Sequence, residues 1–211
     1  SAGTLTGGVI NVAYSGNASG HIEMTGGTMS VSGLYLGGGS TETASMNLLG
    51  GSFYSDSYVQ IGTASAQGHM VISSKADVGL GGIWIGRSGK LTLVLDGGDG
   101  DFTRAVVDVT AGNNDNRYWA STGAQGEIDL SKYTATAEQT ITLIHTAGIV
   151  QGSVDISWVI SCLDEGKYSV GEGAYWNGSD LMLTISLVPE PAYAAGLLGF
   201  AALLLAARRR K

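Results

Sequence analysis

Apolar and polar residues alternate over short stretches in the first hundred residues, and the alternation restarts at a fixed interval. In Ile22-Glu23-Met24 and Met46-Asn47-Leu48 every second residue is apolar. Period-two alternation predicts short strands with one face turned inward. Ile22, Met46, Met70 and Leu93 are spaced by 24, 24 and 23 residues, and Met24, Leu48, Ile72 and Leu95 share that spacing. A second column runs through Leu36, Ile61 and Ile85, each followed by Gly. Double glycines punctuate the same stretch at Gly7-Gly8, Gly26-Gly27, Gly50-Gly51 and Gly97-Gly98. The expected member between the last two falls on Ser74-Lys75, where the glycines are lost. Paired glycines permit the positive-φ corner at which a chain turns. An interval in this range predicts a parallel β-solenoid over residues 1–100, one rung per repeat, rungs about 4.8 Å apart. A β-sandwich, whose short strands are also evenly spaced, is the alternative.

Residues 101–187 lose the interval. Strand candidates there are longer, at 105–110, 140–145, 154–160 and 181–187, with a turn cluster at Gly112-Asn113-Asn114-Asp115-Asn116. A solenoid needs an end that covers its last open rung. This segment reads as a β-rich cap, with Trp158, Tyr168, Tyr175 and Trp176 supplying bulk. The whole ectodomain is thus predicted to be all-β.

The pattern changes again at the C-terminus. Val188-Pro189-Glu190-Pro191 holds the only prolines, an apolar run fills 192–207, and Arg208-Arg209-Arg210-Lys211 ends the chain. The prolines keep their stretch extended and delay helix formation. The 16-residue run would span about 24 Å as a helix, somewhat short of a bilayer core of about 30 Å. Snorkelling Arg side chains and local thinning cover the difference. A transmembrane helix at 192–207 is expected, its basic stop on the cytoplasmic side and residues 1–187 outside. A buried core helix is the alternative.

This end resembles the bacterial PEP-CTERM sorting signal in motif, helix, basic cluster and position. The resemblance covers residues 188–211. It implies export, recognition by an exosortase-type membrane peptidase, cleavage near the Pro-Glu-Pro motif, and release or attachment at the cell surface. The units typified by Ile22-Glu23-Met24-Thr25-Gly26-Gly27-Thr28-Met29-Ser30-Val31 are similar to autotransporter-associated β-strand repeats over roughly residues 4–98. No outer-membrane barrel sequence follows them. Export implies an N-terminal signal, so the chain starting at Ser1 is read as having lost its N-terminus.

Composition agrees with an ordered, turn-rich chain. There are 34 Gly in 211 residues, and charged residues make up 14%, against about 25% in typical domains. Without the terminal cations, seven basic and 18 acidic residues remain, a net charge of −11. That disfavours nucleic acid and anionic surfaces as partners. Cys162 is alone, so no internal disulfide forms, and its apolar neighbours predict burial.

Candidate chemistry is sparse. His21 and His69 hold equivalent outward positions with Ser45 between them, two rungs and about 9.6 Å apart, too far to share a zinc ion. Both read as solvated, and His145 has no evident partner. The turn Asp96-Gly97-Gly98-Asp99-Gly100-Asp101 partly resembles a calcium-binding β-roll repeat, but Phe102 stands where an Asp is expected and there is one copy. A solvated turn is preferred, and no metal or cofactor is expected. The outward column Glu23, Asn47, Val71 repeats no acid, and Asp56, Asp77 and Asp108 form no column. A glycosidase needs two carboxylates at a set separation, so no enzymatic activity is expected. The chain reads as an exported structural or adhesive envelope protein. Carbohydrate-active and glycan-binding alternatives remain, the latter through Tyr35, Tyr54 or Trp84. Packing is the other role for these rings, Tyr35 sharing a 24-residue column with Val59 and Ile83.

Overall fold

The structure is a computed structural model that describes residues 3–39, 41–110, 112, 116–149 and 156–189. The strands follow in order as β1 (Thr4–Val12), β2 (Ser19–Met24), β3 (Thr28–Leu36), β4 (Thr43–Leu48), β5 (Gly51–Ile61), β6 (Gln67–Ser73), β7 (Ala76–Ile85) and β8 (Gly89–Val94). Then come β9 (Val107–Asp108), β10 (Arg117–Ala120), β11 (Gln125–Asp129), β12 (Gln139–His145), β13 (Gly148–Ile149), β14 (Trp158–Ser161), β15 (Tyr168–Ser169), β16 (Tyr175–Asn177) and β17 (Asp180–Leu187).

The repeats stack as a parallel β-solenoid of about four turns, each turn one long strand and one short strand. Long strands β1, β3, β5 and β7 lie side by side in one sheet; short strands β2, β4, β6 and β8 lie in the other. Leu36, Ile61 and Ile85 form the expected inward column, each below 1% exposed. Leu48 and Ile72 form another in the second sheet, also with no exposure. Fully burying each such side chain is worth about 1.5–3 kcal/mol, and stacking lets one rung's column serve the next. Gly27 and Gly51 hold φ of 80° and 82° at successive corners, and a Cβ on Gly51 would meet the Gly27 carbonyl at 2.5 Å. Glycine is required there twice over, by φ and by backbone contact.

Three details of register differ from the sequence pattern. Met70 pairs with Leu91, and Ile72 with Leu93, so Leu93 belongs one column over. The corner before β8 is shorter, running from Ile85 to Gly89 where the preceding one runs from Ile61 to Gln67. Counted through the paired register, Ile61 to Gly68 against Ile85 to Gly89, the corner loses three residues, which sets Leu91 in the Met70 column; Leu93, two residues on, faces inward as well. Gly7-Gly8 lies inside β1 and makes no corner; Gly7 pairs with Val31. Tyr35 pairs with Gln60 and Gln60 with Trp84, while Leu34, Val59 and Ile83 form the neighbouring inward column. A register shift between Ser55 and Tyr58 displaces the simple count. Such bulges bend a strand, and this one divides the pairing of β5 with β3 and β7 into two halves.

Parallel pairing continues past residue 100. β8 pairs with β11 and β11 with β14, while β7 pairs with β9 through its first half and β10 through its second. Residues expected only to cap the solenoid therefore also extend it. Antiparallel pairing begins with β17, against β12, β15 and β16. Tyr168 is buried there and donates to the Ala135 carbonyl at 3.0 Å. Trp158 lies over Gly126, where a Cβ would sit 2.6 Å from the indole. Tyr175 is exposed and adds no bulk. Cys162 is also exposed, at φ 57° just past β14, because the chain leaves the sheet there. No helix among the described residues is long and apolar enough to cross a membrane; the helix expected at 192–207 lies outside them.

Candidate functional site

The second halves of the long strands carry a row of aromatic side chains. Tyr35 lies between buried Leu34 and Leu36, Trp84 between buried Ile83 and Ile85, and Trp119 between buried Tyr118 and Ala120. Alternation turns each middle residue outward. Trp84 and Trp119 are paired in register and stack at 4.8 Å with a 12° interplanar angle. Gln60, the residue in register between Tyr35 and Trp84, is 7% exposed. Tyr58 fills the row in its stead, 5.6 Å from Tyr35 and 6.5 Å from Trp84. These separations lie in the favourable range for aromatic pairs.

The ring planes turn along the row, by 78° at Tyr35–Tyr58 and 58° at Tyr58–Trp84. Parallel rings would cover one another's faces; the turns leave the tyrosine faces out of mutual stacking. Polar tips edge the row. The Tyr35 hydroxyl donates to Tyr58 at 3.1 Å. That bond, then burial, pushes Tyr35 up to about 12, so its proton stays on at neutral pH. Trp84 Nε1–H donates to Ser121 Oγ at 3.4 Å. Tyr14, 59% exposed, packs over Gly38, where a Cβ would lie 2.3 Å from its ring. Tyr54 stands elsewhere, donating its hydroxyl to Asp77, a bond that raises its pKa.

On the second sheet, the outward ladder runs His21, Ser45, His69, Lys90 and Gln125. Its neighbour runs Glu23, Asn47, Val71, Thr92 and Glu127. His21 Nδ1 and Ser45 Oγ are 2.8 Å apart. His69 is half-buried and bonds Thr92 Oγ1 at 3.0 Å, so it is not simply solvated. Burial and then Lys90 lower its pKa, keeping it neutral at pH 7. Lys90 pairs with Glu127 at 2.6 Å and holds that carboxyl below its usual range. A groove of 560 Å³ follows this ladder, with Arg87 at its edge.

A third feature joins residues far apart in sequence. Asp108 pairs with His145, and His145 with Asp180, on adjacent strands. His145 Nδ1 lies 2.7 Å from Asp180 Oδ1, giving the histidine the partner that the sequence did not reveal. Asp108 Oδ1 accepts from the Thr110 amide at 2.8 Å and its hydroxyl at 2.6 Å. Arg104 bonds Asp77 at 2.7 Å and the Ala76 carbonyl at 2.9 Å. Asp77, Arg104, Asp108, His145 and Asp180 all line one cleft of 380 Å³. Of the dispersed aspartates, Asp77 and Asp108 thus share a cavity with Asp180, where Asp108, His145 and Asp180 stand in register and a carboxylate orients the histidine; Asp56 does not line it.

The 96–101 turn spends its carboxylates on its own neighbours. Asp99 accepts from the Thr136 amide at 3.0 Å and from Ala137 at 3.2 Å; Asp101 accepts from Gly98 at 2.8 Å and pairs with Lys75. No group of three His, Cys, Asp or Glu among the described residues could hold a metal ion. Of the sorting motif, Val188 and Pro189 are described; the Val188 amide donates to the Lys167 carbonyl at 2.9 Å, just after β17. Glu190, Pro191 and Arg208, Arg209, Arg210, Lys211 lie outside the described residues. No family model, curated protein or solved structure matches this chain.

Proposed function

We propose that this is an exported cell-envelope protein of adhesive type, whose solenoid binds extracellular polysaccharide through its aromatic row. The observation that carries this is the run of ring contacts from Tyr35 through Tyr58 and Trp84 to Trp119, on the outward side of the long strands. Each ring combines apolar area with a polar tip, suited to the C–H faces and hydroxyls of a sugar chain. All four rings are half-buried, each keeping part of its surface at the face, and contiguous aromatic surface of this kind commonly marks a contact site. Residues 188–211 direct the chain to an exosortase-type peptidase, with the 192–207 helix in the bilayer until processing.

The test is affinity electrophoresis against a panel of neutral and acidic polysaccharides. Retardation by at least one polymer, lost in Trp84→Ala and Tyr58→Ala with unchanged circular dichroism, is expected. Binding that survives both changes would refute the aromatic row as the contact. A second function is favoured by the His145–Asp180 pair: hydrolysis or elimination at the 380 Å³ cleft. Release of reducing ends or unsaturated products, abolished by Asp108→Asn and His145→Ala, would establish that activity in place of pure binding.

A further inference from the structure

We infer that the polysaccharide carries uronate units, and that a uronate carboxylate is received by Arg87 in the groove on the face adjoining the aromatic row. This rests on the glycan-binding function proposed above.

The two surfaces are continuous. Arg87 follows Trp84 by three residues, in the corner between β7 and β8. The turn after Trp119 lies against it: Ala124 donates to the Ser121 carbonyl at 3.0 Å, and a Cβ on Gly123 would approach Arg87 Cγ at 2.9 Å. Ser121 in that turn also accepts the Trp84 indole N–H. A sugar chain on the Trp84–Trp119 end of the row therefore reaches Arg87 around a single corner.

The groove has the opposite charge character to the chain. The protein carries 18 acidic residues and a net charge of −7, yet no Asp or Glu lines this groove. Arg87 is exposed and, among the described residues, forms no ion pair. Its guanidinium fork matches a carboxylate bidentately. Lys90 adds a second cation, partly neutralised by Glu127. Neutral His69, with Gln67, Gln125 and Ser45, offers partners for sugar hydroxyls. The 380 Å³ cleft, lined by three aspartates, repels the same ligand.

Net charge argues against a polyanion at long range. Screening over about 8 Å at physiological salt leaves the local field to decide contact. One free cation suits a carboxylate on a chain held mainly by stacking. It does not suit a nucleic-acid strand, whose binding draws on several phosphate neutralisations.

The test uses the full chain in non-ionic detergent and isothermal titration with three probes: hexameric oligogalacturonate, its fully methyl-esterified form, and hexameric oligothymidylate. The acid form should bind about tenfold or more tighter than the ester. Arg87→Gln should erase that difference and leave the ester's affinity unchanged. Lys90→Gln should weaken the acid form less, because Glu127 already occupies Lys90. Trp84→Ala should weaken acid and ester alike. Arg87 is exposed, so its variant keeps the fold, checked by circular dichroism. Equal affinity for acid and ester overturns the inference and leaves glycan binding standing. Failure of both sugars to bind overturns the inference, and the polysaccharide panel then decides the proposed function separately. Tighter binding of the oligothymidylate overturns it in favour of a nucleic acid.

Discussion

Met46→Ala tests the stacked core most directly. Met46 has no exposed surface, and its column places it between Ile22 on one side and Met70 on the other. Alanine removes three side-chain heavy atoms from a site with neighbours above and below. The loss comprises transfer free energy plus a cavity, about 3 kcal/mol within a usual range of about 2–5. Ile22→Ala, on the edge strand, should cost about 1 kcal/mol, because Ile22 is only half-buried and β2 has a partner on one side alone. Urea unfolding followed by tryptophan fluorescence reads this out. With a slope of about 2–3 kcal/mol per molar, the Met46→Ala midpoint should fall by about 1 M or more. A double-mutant cycle then checks register: Met70→Ala with Leu91→Ala should couple by more than about 0.5 kcal/mol, and more strongly than Met70→Ala with Leu93→Ala. Equal losses at Ile22 and Met46, or stronger coupling to Leu93, would refute the reasoning.

Gly51→Ala should cost more than about 1 kcal/mol, from positive φ and the Gly27 carbonyl at 2.5 Å. Gly7→Ala, with nothing within 4 Å, should be neutral or slightly stabilising; melting temperatures of the two separate them, and equal effects would contradict the corner assignment. His69 has a folded pKa below its unfolded value of about 6.5. The unfolded chain therefore binds the proton first as pH falls, and stability declines from about pH 6.5 down through the folded pKa. His69→Gln should flatten that part of the stability–pH curve, and an unchanged slope would show that another group carries it. Replacing Pro189-Glu190-Pro191 by alanines should leave full-length protein in the native envelope, by intact mass, where the parent loses its C-terminal segment. Full-length parent protein would remove the processing role.

The inward columns were legible because period-two alternation and a 24-residue repeat reinforce each other at Met46, Met70 and Ile72. The misplacement of Leu93 came from a corner three residues shorter than its predecessor, which brings Leu91 into the Met70 column. Leu91 and Leu93 both point inward, so hydrophobicity alone could not rank them. Tyr35 was misplaced because a bulge in β5 adds a residue, making the true offset to Gln60 one longer than the repeat. A local signal for the aromatic row was present: Leu34-Tyr35-Leu36, Ile83-Trp84-Ile85 and Tyr118-Trp119-Ala120 each set a ring between residues that turn inward. Trp119 lies 35 residues from Trp84 and Asp180 lies 35 from His145, outside the repeat. Only the stacking of β7, β9, β12 and β17 brings Asp77, Asp108, His145 and Asp180 together, so no periodicity marked that cleft.

A solenoid places one residue from each rung at each column, so whatever occupies a column repeats about every 4.8 Å along the axis. That geometry explains why aromatics on adjacent rungs meet at ring-stacking distance without a specialised loop. It also explains why charge can separate by face. Arg87 stands at a corner, beside the groove it shares with Lys90, while Asp77, Asp108 and Asp180 crowd the first-half face of the long sheet. Arg87 stands in the turn itself, so the backbone of that corner sets where its side chain points; moving an aspartate by one rung would leave it on the same face. Corner residues are therefore the sensitive ones for any ligand that spans two faces. At Gly86 that sensitivity is built into the backbone, because a Cβ there would meet the Gly62 carbonyl at 2.5 Å. Gly86→Ala should displace the corner that carries Arg87 and weaken binding of an acidic sugar, even though Gly86 itself presents no side chain to bind it.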